Sequence, residues 1–338
     1  MKKYSIIFFT TLIILFQTLG IGETAQISSN SSYYPITITN YNSQRKQCKI
    51  TIEREPQRVF AYHQNNIELL IKLGLKDKLV GSAGRFVDEE KTLGNWDARL
   101  RSVKYMGLSG IRKEDVMFLE TDIILGWIST FTDTVWGIGK TDFWNKRKVN
   151  CYVVANCSGL NKKETINSEY EYIRDIGRIF NRQKEAEKII KEIDNEINYV
   201  VSLSANRPRQ RVMLLDFQPR ITVNYTRNKL CADVISKLGG DVINTKRIIS
   251  LEDIIKADPD VIFVAYKTNE EINLTRHLLK NPATKNLRCV KNNRVYGVPF
   301  TFLYGPGVRL IDGIKHFSKG LYPDLNLDFK NISTPNRK

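Results

Sequence analysis

The chain has 338 residues, 42% hydrophobic and 26% charged, and its 52 Lys and Arg against 36 Asp and Glu leave a net charge of +16. That length predicts two globular domains and excludes disorder as a description of the whole chain. The basic balance alone fits nucleic acid, anionic lipid or an anionic small molecule, and five scattered cysteines without a CxxC point to neither a disulfide scaffold nor a zinc site.

Lys2 and Lys3 precede an apolar run from Ile6 to Leu19, and small residues follow at Gly20, Gly22 and Ala25. This is the order of a secretory signal, predicted over residues 1–25; the run falls short of the roughly 20 residues a spanning helix needs. Without that segment 50 Lys and Arg face 35 Asp and Glu, so the excess of +15 belongs to the exported part and nucleic acid is not an expected partner. No cysteine precedes Cys48, which predicts a soluble periplasmic protein rather than a lipoprotein. In an oxidising compartment Cys151 could pair with Cys157, or Cys231 with Cys289; the spacing does not decide.

The first α/β element runs from a strand at Arg58-Val59-Phe60-Ala61 to a helix ending at Leu73-Gly74. Further on, Glu114 to Leu125 aligns without a gap with Glu252 to Phe263, an internal repeat that reads each time as an acid-opened helix, a turn and a buried strand. Between the copies, residues 165–206 lack proline, and Ile189, Ile190, Ile193, Ile197, Val200 and Val201 recur at helical spacing. We expect one long helix there, or two parting near Asn181, stopped by Arg207-Pro208. Arg211 to Leu214 then opens the second copy, whose helix ends at Leu238-Gly239. The expected fold is α/β: a lobe over 26–164, a connecting helix over 165–206 and a second lobe over 207–330, each lobe with a mostly parallel sheet. Neither lobe carries a GxGxxG or GxxxxGK[ST] loop, so no nucleotide cofactor is expected.

Further stretches are Ile50-Thr51-Ile52 through Pro56-Gln57-Arg58-Val59, Asn66 to Leu70 with Leu73 to Gly81, Asn281-Pro282 through Tyr296, and Gly305-Pro306-Gly307. With the repeat and in this order, over about residues 36 to 322, they resemble the substrate-binding proteins of ABC importers for ferric siderophores, haem and vitamin B12. The resemblance implies two Rossmann-like lobes joined by one long backbone helix, a ligand clamped between them, no enzymatic activity, and a monomer that meets the membrane only through its permease. It also implies that a glutamate on each lobe docks on permease arginines, and the matching positions are Glu114 and Glu252. Taken alone, both read as first-turn acids that suit a helix dipole.

Open α/β sheets bind ligands beyond the carboxyl ends of their strands. The loops there carry Tyr62, His63, Arg85, Phe86, Tyr105 and Trp127 in the first lobe. In the second they carry Phe217, Arg220, Tyr266, Lys267, Phe300, Phe302 and Tyr304. Any single aromatic here is an ordinary core residue, but the set predicts an aromatic cleft with surplus cations, suited to a bulky anionic iron chelate such as a ferric siderophore. Haem, with Tyr62 or His63 as axial ligand, and cobalamin are the alternative cargoes. An exported interaction protein or an enzyme on the same fold is the alternative of another class, although no GxSxG or HExxH motif is present. Only His63, His277 and His316 are available, too few for a free-metal cluster, and the last two read as surface residues. The stretch Phe131 to Trp144 reads as a cleft wall or an amphipathic helix.

Overall fold

The computed structural model describes residues 33–85, 100, 102–243, 246–268, 271, 273, 278, 280–325 and 327. The predicted signal over 1–25, Phe86 and His277 lie outside them. Strands β1 (Ile36–Tyr41) and β2 (Gln47–Ile52) form an antiparallel hairpin that turns Ile38, Ile50 and Ile52 inward. Asn40 on the same face is buried because it has two partners: its amide donates to the Val153 carbonyl at 3.2 Å and accepts from the Val153 N–H at 2.8 Å.

The first sheet follows the predicted α/β alternation. Strand β3 (Val59–Tyr62) leads to α1 (Gln64–Lys72), then β4 (Leu79–Ala83), α2 (Lys113–Met117), β5 (Ile123–Gly126) and β6 (Asn150–Val153). The order is β4-β3-β5-β6, parallel throughout. Strands β3 and β5 are buried on both faces, which their unbroken apolar runs anticipate.

The connection is two helices, α3 (Ile166–Ile179) and α4 (Gln183–Ser204), rather than one long rod. The break falls at Asn181, left-handed with φ 52°, a conformation asparagine tolerates better than most residues. Of the predicted stripe, Ile189, Ile190, Ile193, Ile197 and Val200 are buried, whereas Val201, turned off that face, is 39% exposed. Helix α3 starts beside the second half of the chain, where the Ile166 N–H donates to Asp233 at 3.0 Å. It ends beside the first, where the Tyr34 hydroxyl donates to the Ile179 carbonyl at 2.8 Å. Helix α4 then runs back, so the connection is a stiff helical hairpin.

The second half comprises β7 (Gln210–Gln218), β8 (Ile221–Asn224), α5 (Leu230–Lys237), β9 (Gly240–Val242), β10 (Ile248–Ile249), α6 (Leu251–Ala257), β11 (Val261–Tyr266), β12 (Val295–Pro299) and α7 (Leu310–Leu321). Its sheet is ordered β10-β8-β7-β11-β12, with β9 also on β7; β7, β9, β11 and β12 pair in parallel, while β8 runs antiparallel to both of its neighbours, β7 and β10. The sheet is therefore mixed, because the short β7–β8 link permits only a hairpin.

The sequence repeat recurs in atomic detail. Glu120 and Asp258, at the same repeat position, are both left-handed, with φ of 48° and 38°. Two residues on, Asp122 accepts the Gln57 and Arg58 N–H groups at 2.7 and 3.1 Å, and Asp260 accepts the Arg211 N–H at 2.8 Å. Each aspartate thus pins the start of a central strand.

One expectation is corrected. His316, read as a surface residue, is buried in α7, where its Nε2 lies 2.8 Å from the Gly297 carbonyl. It occupies the face of α7 that carries Phe317 and Gly320 into the core. All five cysteines are free, so neither of the pairings that the spacing left open forms.

The two halves meet through a buried ion pair. Glu68 on α1 is fully buried, and Arg309, just ahead of α7, approaches it at 3.0 Å while also reaching Asp312 at 2.8 Å. Removing one partner of such a pair strands the other charge away from water. Glu68→Ala is expected to lower the unfolding free energy by about 3–5 kcal/mol. Urea denaturation checks this; a loss under about 1 kcal/mol would show that water reaches Arg309.

Candidate functional site

The site is built where β3 ends. The chain passes through His63 at φ 73° and ψ 141°, sparsely populated backbone for any residue but glycine, before entering α1. Two main-chain hydrogen bonds hold it: His63 N–H to the Ala83 carbonyl at 2.9 Å, and Asn66 N–H to the His63 carbonyl at 3.2 Å. The imidazole lies flat on Trp127, with centroids 3.6 Å apart and planes 14° apart, and its Nε2 is 3.2 Å from the Thr130 hydroxyl. Burial pushes the His63 pKa down to about 3, so the ring is neutral at physiological pH.

Trp127, just beyond β5, brings in the second half of the chain. It meets Tyr304 edge-on at 5.1 Å, and Tyr304 stacks on Phe300 at 5.3 Å. The Tyr304 hydroxyl donates to the Cys157 carbonyl at 2.5 Å, and burial raises its pKa. His63, Trp127, Phe300 and Tyr304 thus form one aromatic cluster across the interface between the two sheets.

Three of the cations around this cluster are already matched. Lys229, 5.9 Å above the Tyr304 ring, pairs with Glu164 at 2.7 Å. Lys267, 4.9 Å above Phe300, pairs with buried Asp216 at 3.3 Å. Arg309 has Glu68 and Asp312. The surplus of cleft cations expected from the loops is therefore largely offset by acids that lie far away in sequence.

Space is unevenly distributed. Between Asn65, Trp127, Tyr304 and Arg309 the gap is about 10 Å³, room for one water at most. Two glycines allow this closure: a Cβ at Gly305 would lie 2.8 Å from the Cys157 sulfur, and one at Gly307 3.3 Å from the Asn65 carbonyl oxygen. On the other side of Trp127 a cavity of about 500 Å³ opens, lined by Arg45, His63, Ser129, Thr132 and Trp136 among others. That is the size of a small-molecule site.

The remaining predicted residues are dispersed. Tyr62 is 1% exposed, its hydroxyl 3.4 Å from the Leu108 carbonyl, and burial pushes its pKa up to about 12. Arg85 lies 4.0 Å above the ring of Tyr105 at the edge of the first sheet. Phe302 packs edge-on against His316 inside the second half. Phe217 covers the second sheet's core, and Arg220 is exposed in the β7–β8 turn. Glu114 and Glu252 are exposed in the first turns of α2 and α6; hydrogen bonds from its own backbone N–H and from Ser250 hold the Glu252 carboxyl below its usual range. Of the Phe131–Trp144 stretch, Phe131 and Trp144 are core while Trp136 is 47% exposed and lines the cavity. Among the described residues no three His, Cys, Asp or Glu side chains converge to hold a metal.

Sequence reasoning missed Arg45, Glu68, Arg309 and the acids that match the cleft lysines, whereas Trp136 falls in the stretch read as a cleft wall. For Arg309 a signal existed, since it stands two residues beyond the Gly305-Pro306-Gly307 turn. Arg45 sits in a polar hairpin turn with nothing local to mark it.

A family described as periplasmic binding protein matches residues 143–301. A periplasmic binding protein from Veillonella parvula is 31% identical, with 86% of this chain aligned to 92% of that one at a TM-score of 0.77. An uncharacterized ABC transporter substrate-binding lipoprotein of Bacillus subtilis is 22% identical over 96% of this chain and 99% of its own length. A Saccharomonospora viridis structure titled as an Fe3+-hydroxamate transport system is 20% identical, with 85% of this chain aligned to 99% of that one and a TM-score of 0.69; at that identity the likeness speaks for the fold alone.

His63 generates a pH prediction. A ring with a folded pKa near 3 and an unfolded value near 6.5 contributes stability that is complete above about pH 6.5 and is lost as pH falls towards 3. His63→Phe is therefore expected to flatten the fall of unfolding free energy between about pH 6 and pH 4 by up to about 1.4 kcal/mol per pH unit. Parallel urea curves of the two proteins check it; identical slopes would mean that the ring protonates in the fold.

Proposed function

The chain belongs to the periplasmic binding protein family, whose members serve ABC importers, and on that premise we propose that it captures a bulky iron chelate of low net charge at the Trp127 cluster and hands it to its importer. It is a binding protein, as its relatives are, and not an enzyme. The observation that carries the cargo assignment is the aromatic cluster whose two lysines are already paired. Stacking rewards a large, flat or apolar chelate surface. Beyond Arg45, a triply anionic catecholate complex would have to break Lys229 from Glu164 and Lys267 from Asp216 to find countercharge, leaving those acids buried and unmatched. A neutral ferric trihydroxamate makes no such demand.

Haem fits the site less well. The His63 ring has one face on Trp127 and its Nε2 beside Thr130, and the Tyr62 hydroxyl is turned to Leu108, so neither is presented to an iron. In this reading the protein is exported, works as a monomer, and meets the membrane through the permease. Glu114 and Glu252 dock on that permease: both are exposed, both open the helix of a repeat, and Met117 and Ile255, three residues on, are exposed apolar neighbours at the same repeat position.

Two measurements test the proposal. In tryptophan-quenching titrations of the wild type, ferrioxamine E, a neutral trihydroxamate complex, is expected to bind at least about tenfold more tightly than triply anionic ferric enterobactin. The reverse order, or saturation by cobalamin alone, would contradict it. The double variant Glu114→Ala, Glu252→Ala is expected to keep chelate affinity within about twofold while importer-dependent uptake falls at least about tenfold. Unchanged uptake would remove both residues from docking.

A further inference from the structure

We infer that the cavity beside Trp127 is the subsite that recognises the cargo, and that Arg45 grips there a single oxygen-rich group, a hydroxamate or carboxylate, on an otherwise uncharged chelate. The inference rests on the chelate-binding reading and goes beyond it, because it places the recognition group on one wall of the site, in the turn of the β1–β2 hairpin. The cavity holds about 500 Å³, whereas the gap between the two halves holds about 10 Å³. Only the former can seat part of a chelate without the halves separating.

The hairpin turn is fixed for such a role. Its Ser43 hydroxyl lies 3.1 Å from the Thr141 hydroxyl, its Gln44 amide donates to Asp142 at 3.2 Å, and Arg45 Nη1 donates to the Ser158 carbonyl at 3.0 Å. One guanidinium donor is thereby spent and the exposed side chain is anchored at one end; among the described residues no carboxylate pairs with it. This distinguishes Arg45 from Lys229, Lys267 and Arg309, whose charges are matched within the fold. A guanidinium offers two parallel donors to a bidentate oxygen group.

Backbone strain gathers at the same place. Arg45 and His63 are left-handed, with φ of 63° and 73°, and both line the cavity; Cys157, φ 68°, stands beside Trp127 across Gly305. Strained residues persist where the surrounding structure over-determines them, and they cluster at binding sites. The remaining wall combines the Thr132 and Ser129 hydroxyl groups with the half-exposed indole of Trp136. One cation, uncharged hydroxyls and an aromatic face match a single bidentate oxygen group joined to an apolar or ring-bearing body. They do not match a phosphate, which would call for more positive charge.

The test titrates ferrioxamine E into the wild type, Arg45→Gln and Trp136→Ala, following intrinsic fluorescence for the first two and calorimetry for all three. Both variants change exposed side chains, and thermal melting verifies that each is folded. We expect each to weaken binding at least about tenfold, with Arg45→Lys intermediate because its ammonium cannot act as a fork. If the wild type binds and both variants bind within twofold of it, the subsite is overturned and the chelate-binding reading stands. Loss confined to Trp136→Ala also overturns it, since the cation would then play no part. If the wild type binds neither ferrioxamine E nor ferric enterobactin, the chelate reading and the subsite fall together.

Discussion

Glu68 and Arg309 are 241 residues apart in sequence and 3.0 Å apart in the fold, and most of what surrounds the site follows from the need to keep them dry and matched. Two charges this deeply buried are tolerable only when paired and hydrogen-bonded. Gln64 therefore donates to Glu68 at 2.9 Å, and Asp312 takes a second face of the guanidinium. The turn before Arg309 must then press against the start of α1, which Gly305 and Gly307 permit. Glu169 on α3 completes the seam by accepting the Gly307 N–H at 2.8 Å and the Asn156 amide at 2.7 Å. These contacts bring Tyr304 against Trp127, so the aromatic cluster is a consequence of the ionic seam.

The helical hairpin of α3 and α4 backs this seam. It touches the first half of the chain at its bend and the second at both ends, and a helix resists bending more than an extended linker does. Motion between the halves is accordingly expected to be a small rocking that leaves the Glu68–Arg309 contact closed. A cargo-sized cavity that lies to one side of Trp127 suits such a frame, because entry there does not require the seam to part.

The fold was legible in the sequence to the extent that its signals are local. The repeat, the acid-opened helices, the buried strands and the stripe on α4 are all periodicities or caps, and the structure adds that Glu120 with Asp258 and Asp122 with Asp260 play matching parts. The break at Asn181 lay within the expectation for the connector, and the second sheet is mostly parallel as expected, with the one reversed strand β8 set by its short hairpin link. Individual residues fared differently. Tyr62 is core, as a lone aromatic usually is, and His316 joined the core because helix geometry set it beside Phe317. The cleft cations misled for a plainer reason: a sequence lists charges, but Lys229 meets Glu164 and Lys267 meets Asp216 only after folding, so a net charge of +16 does not make a positive cleft. Arg45 escaped notice because a polar turn is the commonest setting for an arginine.

A low-charge iron chelate is expected to bind beside Trp127 while the buried seam stays closed. A crystal structure of the protein with ferrioxamine E, phased or checked at the iron absorption edge, tests it directly. An anomalous iron peak is expected between Trp127 and Trp136, with the chelate oxygens towards Arg45 and with Glu68 and Arg309 still in contact. Iron found elsewhere on the molecule, or a chelate seated between halves whose Glu68–Arg309 pair has separated, would contradict it.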